Sequence, residues 1–228
     1  MPNKTAPNPT LQSERLYLRQ WQDSDFAVFA QMSADPKVMQ YFPNTLSAAE
    51  STQLAKKYQQ LIADKGWGFW AVSLKDTTQL AAGQDTNFIG FVGLHEPQAD
   101  LPFAPCVEVG WRLHANYWGQ GYATEAAQIA LDFAFENLII NDKPIEEAVS
   151  FTAAINQPSR QVMQRLGMTN TQQDFDHPAI PKLDPPHPLA QHVLYKITRQ
   201  QWVKLKQQAN DKQTTNLISD TNRNGNFK

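Results

Sequence analysis

A mixed α/β domain is the fold class this sequence predicts, and three observations predict it. The stretches GFWAVSL (68–74), NFIGFVGL (87–94) and VEVGWRL (107–113) follow one another across polar, glycine- or proline-containing connections, the pattern of an antiparallel meander. Two segments of helical periodicity precede them, and helix, strand, helix and strand follow in alternation. No internal repeat breaks that order.

The first strand is ERLYLRQW (14–21), where Leu16 and Leu18 alternate with Tyr17 and Arg19 at period two. Asp23 or Ser24 then caps a helix that presents Phe26, Phe29 and Ala30 on one face, and Pro36, having no N–H to give, interrupts or ends it. The second helix opens on a capping box, Ser47-Ala-Ala-Glu50, in which hydroxyl and carboxylate each satisfy an orphaned backbone N–H. It runs through Leu54, Tyr58 and Leu61 to a terminating Gly66. Within the meander, 84–86 reads as a hairpin connection, whereas EPQADLPFAPC (96–106) is long enough to be a surface loop of the kind that borders substrates. Past the meander a helix places Ala126, Ile129, Ala130, Phe133 and Ala134 on one buried face. EEAVSFTA (146–153) is a further strand. In NQPSRQVMQRLGM, Pro158 suits a first helical turn, Val162, Met163 and Leu166 form the inner face, and Gly167 closes the helix. HVLYKITR (192–199) is the last strand.

Composition narrows the function. A chain of 228 residues with 41% hydrophobic content is long enough to bury a core as one domain, here placed at 10–205, between a flexible N-terminus (1–9) and a polar, disordered tail (206–228). A net charge of -2 and a pI near 6.2 leave no electrostatic footprint for nucleic acid or an anionic membrane. One cysteine, Cys106, excludes an internal disulfide framework and a multi-thiolate zinc site. With no apolar signal-peptide core and no run near the ~18 apolar residues of a membrane span, the expected location is cytoplasmic.

The informative phrase is YWGQGYATEA (117–126), two glycines just ahead of a helix. Unpaired N–H groups and the helix dipole make such a start an anion site, and Gly119 and Gly121 let a phosphate approach the main chain. A nucleotide P-loop ends in Gly-Lys-Ser/Thr, which Gln120-Gly121-Tyr122 is not. A dinucleotide turn wants a third glycine where Thr124 stands, and a parallel βαβ unit where this chain has a meander. The plain alternative is a tight turn with no ligand.

In its context the phrase resembles the GNAT superfamily of acetyl-CoA-dependent N-acetyltransferases. Their diphosphate signature, Arg/Gln-x-x-Gly-x-Gly/Ala, is met at Gly121 and Ala123 and departed from at Trp118. The tryptophan is similar to the branch of ribosomal-protein N-terminal (alanine/serine) acetyltransferases, whose phrase matches Tyr117 to Ala126. ERLYLRQW, VEVGWRL, Asn156-x-x-Ser159 with its LeuGlyMet, and HVLYKITR recur in the family's order, so the resemblance covers about Thr10 to Trp202. It implies the GNAT fold: a twisted, mostly antiparallel mixed sheet with helices on both faces.

It also implies chemistry. Acetyl-CoA is the co-substrate and no metal is used. The turn from Trp118 through Gly119, Gln120, Gly121, Tyr122, Ala123 and Thr124 takes the diphosphate, the main chain of Trp111, Arg112 and Leu113 pairs with the pantetheine arm, and Arg160 or Arg165 meets the 3′-phosphate. A main-chain N–H of that strand holds the oxyanion, a donor whose removal costs ~3 kcal/mol in comparable sites. The acceptor is a primary amine, either a small molecule or a peptide N-terminus, and the protein is a monomer or homodimer. Neutralising a lysine at pH 7 costs about 4.6 kcal/mol and an α-amine about 1.4 kcal/mol, so an N-terminal acceptor needs little help from a base. Glu108 matches the family's catalytic glutamate; otherwise it is a strand carboxylate facing solvent or a basic neighbour. Ser159 matches a serine that protonates the leaving thiolate, or else it caps the helix, and Asn156 supports the carrier or that serine. An acyl-enzyme on Cys106 and a metal on His177, His187 and His192 are the weaker readings, since the histidine spacings match no ligand motif. By the family layout Tyr41, Phe42, Trp67 and Trp70 border the acceptor groove. Two readings compete with the enzyme: a silent GNAT-fold acyl-CoA sensor, and a Rossmann-type oxidoreductase.

Overall fold

A computed structural model describes residues 9–81, 84, 86–97, 100–183 and 185–224, with side chains to residue 211. The expected flexible N-terminus lies, except for Pro9, outside the described residues. In chain order the elements are β1 (Leu11–Gln12), β2 (Leu16–Arg19), α1 (Asp23–Ala34), α2 (Pro36–Met39), α3 (Ala48–Lys65), β3 (Phe69–Leu74), β4 (Phe88–His95), β5 (Glu108–Leu113) and α4 (Tyr122–Asn137). Then come β6 (Ile139–Ile140), β7 (Lys143–Pro144), β8 (Glu147–Ala153), α5 (Gln157–Arg165), β9 (Thr169–Asn170), β10 (Phe175–Asp176), β11 (Gln191–Thr198) and α6 (Arg199–Asn224).

The main sheet runs β1-β2-β3-β4-β5-β8-β11-β10, with β9 added beside β11. Its neighbours are antiparallel except β5 and β8, which run parallel and register only at Glu108↔Val149. Beyond Glu108 the two strands part, and the β8 side of residues 109–113 is left without a β-ladder.

Alternation along the strands sorts the core into two layers. On one face Phe69 and Phe91 meet Trp21, Phe29 and Tyr58 of the β2–α1 and α3 segments, ring centroids 5.0–6.3 Å apart. On the other, fully buried Trp70 stands edge-on to Phe133 of α4, and Trp202 at the start of α6 packs beside Phe135. Helices therefore cover both faces.

The capping box forms as read: Ser47 N–H donates to Glu50 at 2.8 Å, Glu50 N–H to the Ser47 hydroxyl at 3.3 Å, and Gly66 ends α3 at φ +77°. Ser47→Ala should lower stability by about 1 kcal/mol, read as a shift in the urea midpoint with unchanged slope. Start signals for α1 differ from expectation. Its N-cap is Gln22, whose N–H donates to Asp25, and Arg19 clasps the buried Asp25 carboxylate through two nitrogens at 2.7 and 2.9 Å. Helix α6 also differs, running through the polar stretch from 206 as far as Asn224; no glycine or proline interrupts the chain between Arg199 and Gly225. Among the described residues no helix is long and apolar enough to cross a membrane.

Candidate active site

The glycine turn is built by the residues that flank it. Tyr117 and Tyr122 point inward: the Tyr117 hydroxyl accepts from Ala81 N–H and donates to Gln84, and that of Tyr122 donates to Gln79. Trp118 turns the other way, its indole N–H donating to the Leu113 carbonyl at 2.8 Å while the ring stays partly exposed. Between these anchors Gly119 and Gly121 take φ of +75° and +82°, values an L side chain rarely adopts. Gly121 is the N-cap of α4, and no side chain caps that helix. The first intrahelical bond runs from Glu125 N–H to the Gly121 carbonyl, so the amides of Tyr122, Ala123 and Thr124 face the turn as orphan donors. An open cleft of about 520 Å³ lies against them, lined by Gly119, Gln120, Gly121, Thr124, Gln128, the guanidinium-bearing Arg15 and Arg165, and the carboxylate of Glu125. Orphan N–H groups, a helix dipole and the Arg165 cation suit a diphosphate, while the charge of Arg15 is largely offset by its ion pair with Glu125.

Glu108 marks where β5 leaves β8. Enclosed by protein atoms, with only part of its surface exposed, its carboxyl is pushed up to about 8 by desolvation. It shares a face of β5 with Gly110 and Arg112, the face turned to α1 and α3. Cys106, just before the strand, is a thiol that burial lifts to about 11. Such a group carries almost no thiolate at neutral pH, which agrees with leaving it out of the chemistry.

A family model described as an acetyltransferase (GNAT) domain matches residues 15–169. The chain belongs to the GNAT acetyltransferases. It is 36% identical over 100 residues to FsC-acetyl coenzyme A-N(2)-transacetylase of Aspergillus fumigatus, a match over 43% of this chain that spans only 38% of that protein. It is 26% identical to an uncharacterized N-acetyltransferase, YnaD, of Bacillus subtilis over 75% of this chain and 87% of the relative. In fold it superimposes with a TM-score of 0.60 on RimL, a ribosomal L7/L12 alpha-N-protein acetyltransferase solved in complex with coenzyme A, at 16% identity over 83% of this chain and 98% of that one. As a GNAT member the protein is an acetyl-CoA-dependent acetyltransferase.

The structure distributes the sequence-read site residues as follows. Gly119, Gln120, Gly121 and Thr124 border the cleft together, with the backbone of Tyr122 and Ala123 at the helix start. Trp111, Arg112 and Leu113 lie on the parted section of β5. Asn156 is the N-cap of α5: its Oδ1 accepts from Ser159 N–H at 3.2 Å and its Nδ2 donates to the Thr152 hydroxyl at 2.8 Å. The cap thus engages the Ser159 backbone and leaves its hydroxyl unused in capping. Arg160 donates to the Ala154 carbonyl and does not line the cleft, whereas Arg165 does. Trp70 is core on the α4 face rather than groove, and Trp67 packs near Lys65. Tyr41 packs with Ala153, Ile180 and Leu189, and Phe42 lies over Arg112. His177 and His192 stack 4.7 Å apart, and among the described residues no three potential ligands gather at one point.

Two residues escaped the sequence reading. Arg15 grips Glu125 of α4 through Nε at 2.7 Å and Nη2 at 2.5 Å, donates from Nη1 to the Gln120 carbonyl at 3.1 Å, and lies 4.4 Å over the Tyr122 ring. Ser13 donates to the same carboxylate, whose pKa these partners hold below the usual range against the opposing effect of burial. Only the first arginine of ERLYLRQW and the glutamate after the turn hinted at this clasp, and their separation of 110 residues hides the pairing from any local pattern. Arg15→Ala should raise the acetyl-CoA KM about tenfold with kcat largely kept, measured by steady-state thiol release.

Proposed function

We propose that this GNAT acetyltransferase moves acetyl from acetyl-CoA to a primary amine, a peptide N-terminal α-amine or a small-molecule amine, by direct attack in a ternary complex. One observation carries the reading: the half-buried Glu108 carboxyl sits where β5 and β8 part, pushed up to about 8 by desolvation, close to the value of an α-amine. A base so matched can take the amine's proton near neutral pH, where an ordinary carboxylate would be too weak an acceptor. Bound acetyl-CoA supplies the activated acyl group. The chain's own residues do the rest. Amides from Gly119 through Thr124 bind the diphosphate, with Arg165 adding charge. On the side turned to β8, where no ladder forms, the main chain of Trp111 to Leu113 offers polar groups to the pantetheine amides, the Leu113 carbonyl being already engaged by the Trp118 indole. Ser159, positioned by the Asn156 cap, gives a proton to the departing thiolate and regains one from water, while Glu108 returns the amine's proton to water, so both residues are restored.

Calorimetric titration with acetyl-CoA, followed by thiol-release assays on N-terminal peptides, polyamines and amine drugs, tests this reading. Binding with turnover on one class of amine supports it. Binding without turnover on any amine would favour a silent acyl-CoA sensor instead.

A further inference from the structure

The acceptor face of β5 holds a cation that the acetyl-transfer reading does not use. Arg112 lies four residues beyond Glu108 on the same face, with the Cα atoms about 13 Å apart at ordinary strand rise. Its guanidinium is clasped between the rings of Phe42 and Phe91, at 4.1 and 5.3 Å from their centroids. Nε and Nη1 are buried and neither has a hydrogen-bond partner, and Arg112 joins no ion pair among the described residues. Burial holds its pKa below the ordinary arginine value, and its charge offsets part of the burial that pushes Tyr58 up to about 12. Stacking on aromatic faces compensates some of the lost hydration but supplies no acceptor for the N–H groups, and two buried guanidinium nitrogens without acceptors are costly.

We propose that Arg112 is the anchor for a carboxylate carried by the amine acceptor, with amine and carboxylate several bonds apart so that one reaches Glu108 while the other meets the guanidinium. The carrier is not the source of that anion: the diphosphate site, with Arg15 and Arg165, is at the α4 start, and α4 packs on the opposite face of the sheet from the Arg112 side chain. Nε and Nη1 each share an edge of the guanidinium with Nη2, and either two-nitrogen edge matches a carboxylate in bidentate fashion. Phe42, on the loop after α2 and 39% exposed, roofs the site and is placed to contact the acceptor's carbon chain. This inference rests on the amine-transfer reading above, to which it adds the substrate class.

The test compares matched acceptors with the wild-type protein: 4-aminobutyrate against its carboxamide, and the dipeptide amide Ala-Glu against Ala-Gln. The acid of each pair should be acetylated with a kcat/KM about 10- to 100-fold above its neutral partner, chiefly through KM. Arg112→Gln should bring that ratio close to one, and Arg112→Lys, which keeps the charge but not the fork, should retain part of it; circular dichroism verifies folding. Equal use of acids and neutral partners by the wild type overturns the inference while leaving amine transfer intact. No turnover on any of the four with acetyl-CoA bound, alongside turnover on another amine, also overturns it. Absence of turnover on every amine sinks the transfer reading together with it.

Discussion

Valine at Gly121 should weaken acetyl-CoA binding by about 100-fold or more in a protein that still folds, because the proposed diphosphate site consists of main-chain donors that only this backbone conformation aims at one point. Gly121 sits at φ +82°, and a side chain there forces the turn to rearrange and sets carbon atoms toward Arg15, whose Nη2 would lie 3.5 Å from the new Cβ. The left-handed conformation alone costs roughly 1–2 kcal/mol, so part of the effect will appear as lost stability. Gly66 separates the two contributions. It has φ +77° with nothing within 4 Å of an added Cβ and ends α3 away from the cleft. Gly66→Val should show a similar drop in stability with unchanged acetyl-CoA affinity. Wild-type affinity in a folded Gly121→Val protein would mean that the turn does not hold the diphosphate.

Replacing Glu108 with glutamine should lower kcat/KM by about 10²-fold and remove a limb of the pH–rate profile. In the wild type the carboxyl, pushed up to about 8 by burial, is mostly protonated at pH 7 and becomes a base as pH rises through 8. With an acceptor amine already neutral across the range, the rate should therefore reach half its maximum near pH 8 and level off about one unit above it, and the Glu108→Gln profile should be flat over that range. Stability follows with the opposite sense. The folded protein binds this proton more tightly than the unfolded chain, whose carboxyl titrates near 4.5, so the wild type loses stability as pH rises from about 4.5 to 8. Glutamine escapes that loss, which is on the order of a few kcal/mol, and the variant should become the more heat-stable protein toward pH 8. An unchanged limb near pH 8 in Glu108→Gln would remove Glu108 from the base role.

Most local signals read correctly, the α1 start being the exception, since its N-cap is Gln22 and not Asp23 or Ser24. The Ser47–Glu50 box and Gly66 bounded α3, the meander emerged as β3, β4 and β5, and the glycines before α4 marked the turn. Each depends on residues within a few positions of one another, where propensity and backbone hydrogen bonding decide. Long-range geometry was not legible in the same way. The Arg15–Glu125 clasp joins chain positions 110 apart, and the parting of β5 from β8 follows from how two distant strands register at a single pair. Trp70 and Phe42 are both aromatic, yet one is sealed beneath α4 and the other roofs Arg112, a difference set by strand phase and loop path. Arg112 itself was read for its main chain, and nothing in VEVGWRL says that two of its side-chain nitrogens, Nε and Nη1, lie buried and unpaired. Helix α6 was missed because its stretch from 206 is too polar to show a buried face.

The most direct test of the central claim follows both products at once: thiol release and acetylated amine, the latter by mass spectrometry, with purified protein, acetyl-CoA and a panel of primary amines. The account predicts that the two appear in equal amounts with at least one class of amine and that both depend on it. Thiol released at the same rate with and without amine, and no acetylated product, would contradict it.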